Sequence, residues 1–212
     1  MNKTNRVLAF TIAVIWAPVL YGWAHYPELP ARMATHWGFN NQVNGWMPKA
    51  MAVYGIPVLM TLLQLLLVGI TRLNANHKGE AVRFERLLYA IMPTITVILY
   101  FTTIQANLGS DIDIRRVAII VVAMMFMGMG NYLPTVPAGY NRTLNGMHKA
   151  AANPRTWPRV ARAMGYTMVG GSLLMIASLF APPMVSVAAL AIAVVLLLAV
   201  SWWGYRLSVR QG

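Results

Sequence analysis

Val185–Tyr205 reads VSVAALAIAVVLLLAVSWWGY, and this stretch decides the fold. It holds no charged residue and matches the ~20 residues an α-helix needs to cross ~30 Å of hydrocarbon. Trp202, Trp203 and Tyr205 gather at its end, where amphipathic rings sit at headgroup level.

Outward from this run, five more apolar stretches lie at about Met164–Phe180, Val117–Leu133, Leu87–Ala106, Ala50–Ile70 and Val7–Trp23. Pro18, Pro57 and Pro93 fall inside three of them, at positions where a spanning helix tolerates a kink. The expected fold is an all-α integral membrane protein, a bundle of about six transmembrane helices forming one domain over 1–212. Composition agrees: 58% of the 212 residues are hydrophobic and 10% charged. A soluble domain carries about 25% charged residues, enough to cover its surface, and this chain does not. Lys3 and Arg6 before Val7–Leu20 imitate a signal peptide. No small-residue cleavage site follows, and Trp16, Pro18, Tyr21 and Trp23 fit a retained first span.

The net charge is +12, but the basic residues sit between the spans rather than along a nucleic-acid-binding face, so no direct nucleic-acid partner is expected. Of the 17 lysines and arginines, only Arg32, Lys49, Arg115 and Arg116 fall in the connections after the first and third spans. The other thirteen flank the opposite ends. The positive-inside rule then puts both termini in the cytoplasm and the Tyr26–Lys49 loop outside. Asp111 and Asp113 largely neutralise Arg115 and Arg116 in the outer turn. Cysteine is absent, which removes disulfides, thiolate nucleophiles and palmitoylation.

All five acidic residues, Glu28, Glu80, Glu85, Asp111 and Asp113, fall outside the expected spans, and no lysine or arginine lies at mid-membrane. An ion-coupled transporter places ionisable groups there, so the pattern argues against one. Gln64 is the most deeply placed polar side chain; helix-to-helix hydrogen bonding and a substrate contact both remain open for it. The methionines of the fourth span, Met124, Met125, Met127 and Met129, read as gap-filling packing.

That leaves the loop YPELPARMATHWGFNNQVNGWMPK, Tyr26–Lys49, as the stretch with the most chemistry. Its amides Asn40, Asn41, Gln42 and Asn44 suit main-chain hydrogen bonding, within the loop or to an extended peptide. Asn44-Gly45 is a turn signal, and Trp37, Phe39 and Trp46 form a candidate aromatic platform at the interface. The plain alternative is a loop that only folds onto the helix ends. His25, Glu28 and His36 are the candidate metal ligands, though their spacing matches no helical metal motif, and no metal or cofactor is expected. The connection 134–163 is basic without balancing acids, which suits topology and contact with anionic membrane lipid.

Two stretches together resemble the SdpI-type family of bacterial immunity and signalling proteins. Leu29-Pro30, Thr35-His36 and the Asn-rich run to Gly45-Trp46 are similar to that family's N-terminal loop domain. Gly130-Asn131-Tyr132-Leu133-Pro134 is similar to the GNYLP that opens its second signature. Arg142-Thr143-Leu144 and Arg155-Thr156-Trp157 compete for the segment that follows, and Trp157–Gly165 resembles the run into the next helix. The resemblance implies a multi-pass protein of the bacterial cytoplasmic membrane that protects the cell from an extracytoplasmic antimicrobial peptide or related ligand. It also implies a cytoplasmic repressor as a second partner. The expected ligand-binding residues are Glu28, His36, Trp37, Asn40, Asn41, Asn44, Gly45 and Trp46. The expected cytoplasmic readout uses Gly130, Asn131, Tyr132, Pro134, Arg142, Arg155, Trp157 and Arg159. Two readings from other classes stay open: a membrane enzyme using His36 and Glu28 on a lipid or peptide, and a small-molecule transporter or channel.

Overall fold

The structure is a computed structural model that describes residues 3–73, 81–140 and 153–210. Among these it has six helices long and apolar enough to cross a membrane, so the chain is all-α with about six spanning helices, as its sequence leads one to expect. They are α1 (Lys3–Ala24), α2 (Ile56–Leu73), α3 (Val82–Asn107), α4 (Ile114–Tyr132), α5 (Trp157–Ser178) and α6 (Pro183–Arg210). A π-helical turn, Met51–Gly55, leads into α2. It lies just before Pro57, the second residue of α2, which lacks the N–H an α-helical turn would use and whose ring needs extra room in the preceding turn.

The structure departs from the sequence reading in three places. Asn44-Gly45, read as a turn, lies inside a strand, and the chain reverses at 38–42 instead. Tyr26–Lys49 is not merely a loop: it contains an antiparallel hairpin, β1 (Arg32–Trp37) and β2 (Val43–Pro48). And α5 begins at Trp157, not near Met164. Pro158 explains the early start, because proline's fixed φ and missing N–H cost nothing in a first helical turn. Trp157, Arg159 and Arg162 are therefore helical, and Arg142 lies outside the described residues.

The chain divides into two compact units. The first takes the described residues up to Ile70 together with Leu88–Ala118. Its core is Leu29, Met33, Ala52, Val53, Tyr100 and Ile104, with Val19, Tyr21, Tyr26 and Leu108 packed around it. Gln64 is fully buried here, and its Nε2 donates to Thr11 Oγ1 (3.0 Å) and to the Tyr89 carbonyl (3.1 Å). Trp16 Nε1 donates to Thr61 Oγ1 at 3.0 Å, a second bond between α1 and α2. Gln64 thus serves as polar glue between helices, one of its two open readings.

The second unit holds the remaining described residues. Its helices meet through small side chains, as expected where lipid supplies no hydrophobic drive and close backbone approach must supply the packing. A Cβ on Gly130 would lie 2.8 Å from the Gly165 carbonyl oxygen, and one on Gly165 would lie 2.6 Å from that of Gly130. Gly171 meets Ala193 and Gly204 meets Val160 in the same manner along α5 and α6. Ser178 Oγ donates to Ser186 Oγ at 3.1 Å near the turn between them. Of the methionines read as packing, Met124 and Met127 lie exposed on α4.

Candidate functional site

The hairpin is built onto the first unit at three points. Met33 is its plug: wholly buried in the core, it contributes about 1.5–3 kcal/mol if water is the alternative. Asn107, the last residue of α3, is the second. Its Oδ1 accepts from the Ala34 N–H (2.8 Å), and its Nδ2 donates to the Ala34 carbonyl (2.9 Å) and to that of Thr103 (2.8 Å). One amide thereby satisfies both backbone groups that Ala34 turns away from β2, as a neighbouring strand would.

Asn41 is the third point. It stands at the hairpin tip with φ 61°, the left-handed conformation that asparagine tolerates better than most side chains. Its Nδ2 donates to Asp113 Oδ1 at 2.8 Å, and its Oδ1 accepts from the Arg115 N–H at 2.9 Å. Asp113 itself caps α4, accepting the Arg116 N–H at 3.0 Å. Arg115 and Arg116 reach the other Asp113 oxygen at 3.3 and 3.0 Å. Partial burial pushes the Asp113 carboxyl up. The Asn41 and Arg116 hydrogen bonds and the two arginine charges outweigh that and hold it below its ordinary value.

Between these anchors the ladder is irregular. Ala34 pairs with Trp46, His36 with Gly45 and Trp37 with Val43. The register shifts at Thr35 on one strand and shifts back at Asn44 on the other, two opposed bulges that cancel. His36 Nδ1 and Asn44 Oδ1 are hydrogen-bonded across this irregular segment. Gly45 lacks a side chain for a reason: a Cβ there would lie 2.8 Å from His36 Cβ.

The ligand-binding residues expected from sequence therefore divide. Asn41, Asn44 and Gly45 hold the hairpin together, and Asn40 Oδ1 accepts the Gln42 N–H at 3.2 Å within the tip. His36 is exposed, Trp37 is half-buried, and Trp46 stands 52% exposed with Phe39 equally so. Glu28 lies apart, 3.3 Å from His25 Nδ1 in an exposed i, i+3 pair. His36 turns to Asn44 and not to that pair. Among the described residues no three His, Asp or Glu side chains converge.

The residues expected at the cytoplasmic readout also divide. Gly130 and Pro134 face Gly165 in the α4–α5 crossing, and Trp157 Nε1 donates to the Val136 carbonyl at 2.6 Å. Tyr140 Oη donates to Glu85 Oε1 at 2.7 Å, close to the same turn. Asn131, Arg155 and Arg159 are exposed and Tyr132 is half-buried. The sequence did not single out Met33 or Asn107, and it offered Asp113 only as a charge partner of Arg115 and Arg116. The capping role of Asp113 carried a readable signal, an aspartate four positions ahead of the apolar run Val117–Leu133. Met33 and Asn107 carried none, since their role depends on which segment folds against them.

Six apolar helices, with a hairpin packed on the first unit, define a multi-pass membrane protein. Residues 13–61 are matched by a family described as a Domain of unknown function (DUF1648). The matched span takes in the end of α1, the whole hairpin and the start of α2. No curated protein matches the chain, and no solved structure does.

Proposed function

We propose that this chain is an SdpI-type immunity protein of the bacterial cytoplasmic membrane. In this reading the hairpin faces outward and engages an antimicrobial peptide or a related ligand. The DUF1648 match over 13–61 is compatible with that family and covers the same hairpin. Arg32, Lys49, Arg115 and Arg116 against thirteen basic residues at the other ends support the outward orientation.

One observation carries the proposal: a hairpin fixed by Met33, Asn107 and Asn41 still leaves Trp46 and Phe39 half in the open. Rigid aromatic side chains at a membrane interface suit capture of an apolar peptide, because little entropy is lost when they bind. The exposed Arg155 and Arg159 on the other side of the membrane would serve a cytoplasmic repressor or anionic lipid. The test is sensitivity of deletion cells, complemented at normal abundance with His36→Ala or Trp46→Ala, to secreted membrane-active peptides. Lost protection is expected for both; full protection by both would sink the reading.

A further inference from the structure

The hairpin has two outer edges, and they differ. The Lys49 N–H donates to the Ala31 carbonyl at 3.0 Å, which sets the phase of the ladder. Bonded and non-bonded pairs alternate in an antiparallel ladder, so Met33/Met47 exchange bonds while Arg32/Pro48 and Ala34/Trp46 do not. Asn107 confirms the phase by taking both outward groups of Ala34. The same alternation turns the N–H and C=O of Trp46 away from β1, onto the outer edge of β2, which pairs with no further strand among the described residues. Pro48 falls in that outward register too, where its missing N–H costs no ladder bond.

We propose that the outer edge of β2 at Trp46 takes an extended peptide segment as a short third strand. This rests on the ligand-binding reading above and names the chemistry of the same site. The complementarity is already shown once in the fold: on the β1 edge an amide's donor and acceptor fill the strand's two outward groups. On the β2 edge the equivalent donor and acceptor stand beside an exposed indole. The added strand is brief, because Pro48 offers only a carbonyl at one end and the Asn44 bulge breaks the pleat at the other. Its side chains lie beside Trp46 on one face and Met47 on the other, both exposed, so the segment recognised is uncharged and carries apolar or methyl-bearing side chains.

The test uses the full chain in lipid nanodiscs and hydrogen exchange at the Trp46 amide. The probe is the capped hexapeptide acetyl-Val-Thr-Val-Thr-Val-Thr-amide, with the same peptide N-methylated at every residue as its control. The unmodified peptide is expected to slow exchange at Trp46 at least about tenfold. The Met47 amide, already bonded across the hairpin, should not change, and the N-methylated peptide should protect neither. Trp46→Ala should weaken binding yet keep the protection at position 46, because the main chain carries it. No slowing at millimolar peptide, or equal slowing by the N-methylated form, overturns the strand addition. Either result alongside lost protection in the His36→Ala and Trp46→Ala cells leaves the ligand reading standing. Full protection in those cells removes the reading itself.

Discussion

Asn41 at the hairpin tip and Asp113 at the start of α4 are joined at 2.8 Å, although 72 residues separate them in sequence. This bond, with the Arg115 N–H on the same Asn41 side chain, ties the hairpin to the helix that follows the third span. Asn41 also holds a left-handed backbone, so two properties of one residue can be separated by substitution. Asn41→Ala removes both bonds and leaves a strained φ, with an expected cost of about 2–4 kcal/mol in local stability. Asn41→Gly removes the same bonds without the strain and should cost about 1 kcal/mol less than the alanine variant. Hydrogen exchange across 32–48 measures both.

The Asp113 carboxyl is held below its ordinary value, so it favours the folded tie in its ionised form. Its stabilisation is complete above the unfolded value of about 3.9 and is lost as pH falls through the lower folded value. Hairpin protection should thus hold steady from pH 7 to about 4 and decline below that. Asp113→Asn should flatten the acid limb while lowering protection at neutral pH. A decline centred near pH 6 would point to a histidine instead.

Gly45→Ala should destabilise the hairpin by about 1–3 kcal/mol, since its Cβ would sit 2.8 Å from that of His36. Removing the opposing atom should help: His36→Gly combined with Gly45→Ala is expected to be less than additive. Strict additivity would mean the bulge, not the contact, demands glycine at 45. Thermal unfolding of the four members of the cycle decides between them.

In the second unit, Gly165→Leu is expected to cost about 3 kcal/mol or more, because its Cβ alone would lie 2.6 Å from the Gly130 carbonyl. Gly170→Ala, five positions further along α5, meets nothing within 4 Å and should be neutral or slightly stabilising. Midpoints of thermal unfolding in detergent make the comparison. Equal effects would remove the close glycine crossing from the account.

How much of this was legible in the sequence follows from where each signal is stored. The spanning helices are local statements: Val185–Tyr205 is apolar throughout, and no tertiary contact is needed to read it. The stretch Tyr26–Lys49 was legible as polar, aromatic and patterned, but not as a hairpin. Its two strands lack a clean alternation, and opposed shifts at Thr35 and Asn44 hide the period that alternation would show. The asparagines looked like ligand groups because an amide offers donors and acceptors in either role. Only the fold reveals that Asn41 bonds Asp113 and the Arg115 N–H, Asn44 meets His36, and Asn107 completes β1. The GNYLP resemblance pointed to Gly130 as a readout residue; the structure shows it packed against Gly165, 35 positions on.

Everything proposed here requires the hairpin outside and the basic helix start at Trp157 inside. The chain has no cysteine, so a single introduced thiol reports its own side of the membrane. Asn40→Cys, at the exposed hairpin tip, should react with a membrane-impermeant maleimide in intact cells, and Arg155→Cys should react only after permeabilisation. The reverse pattern, with position 155 labelled in intact cells and position 40 silent, would contradict the account.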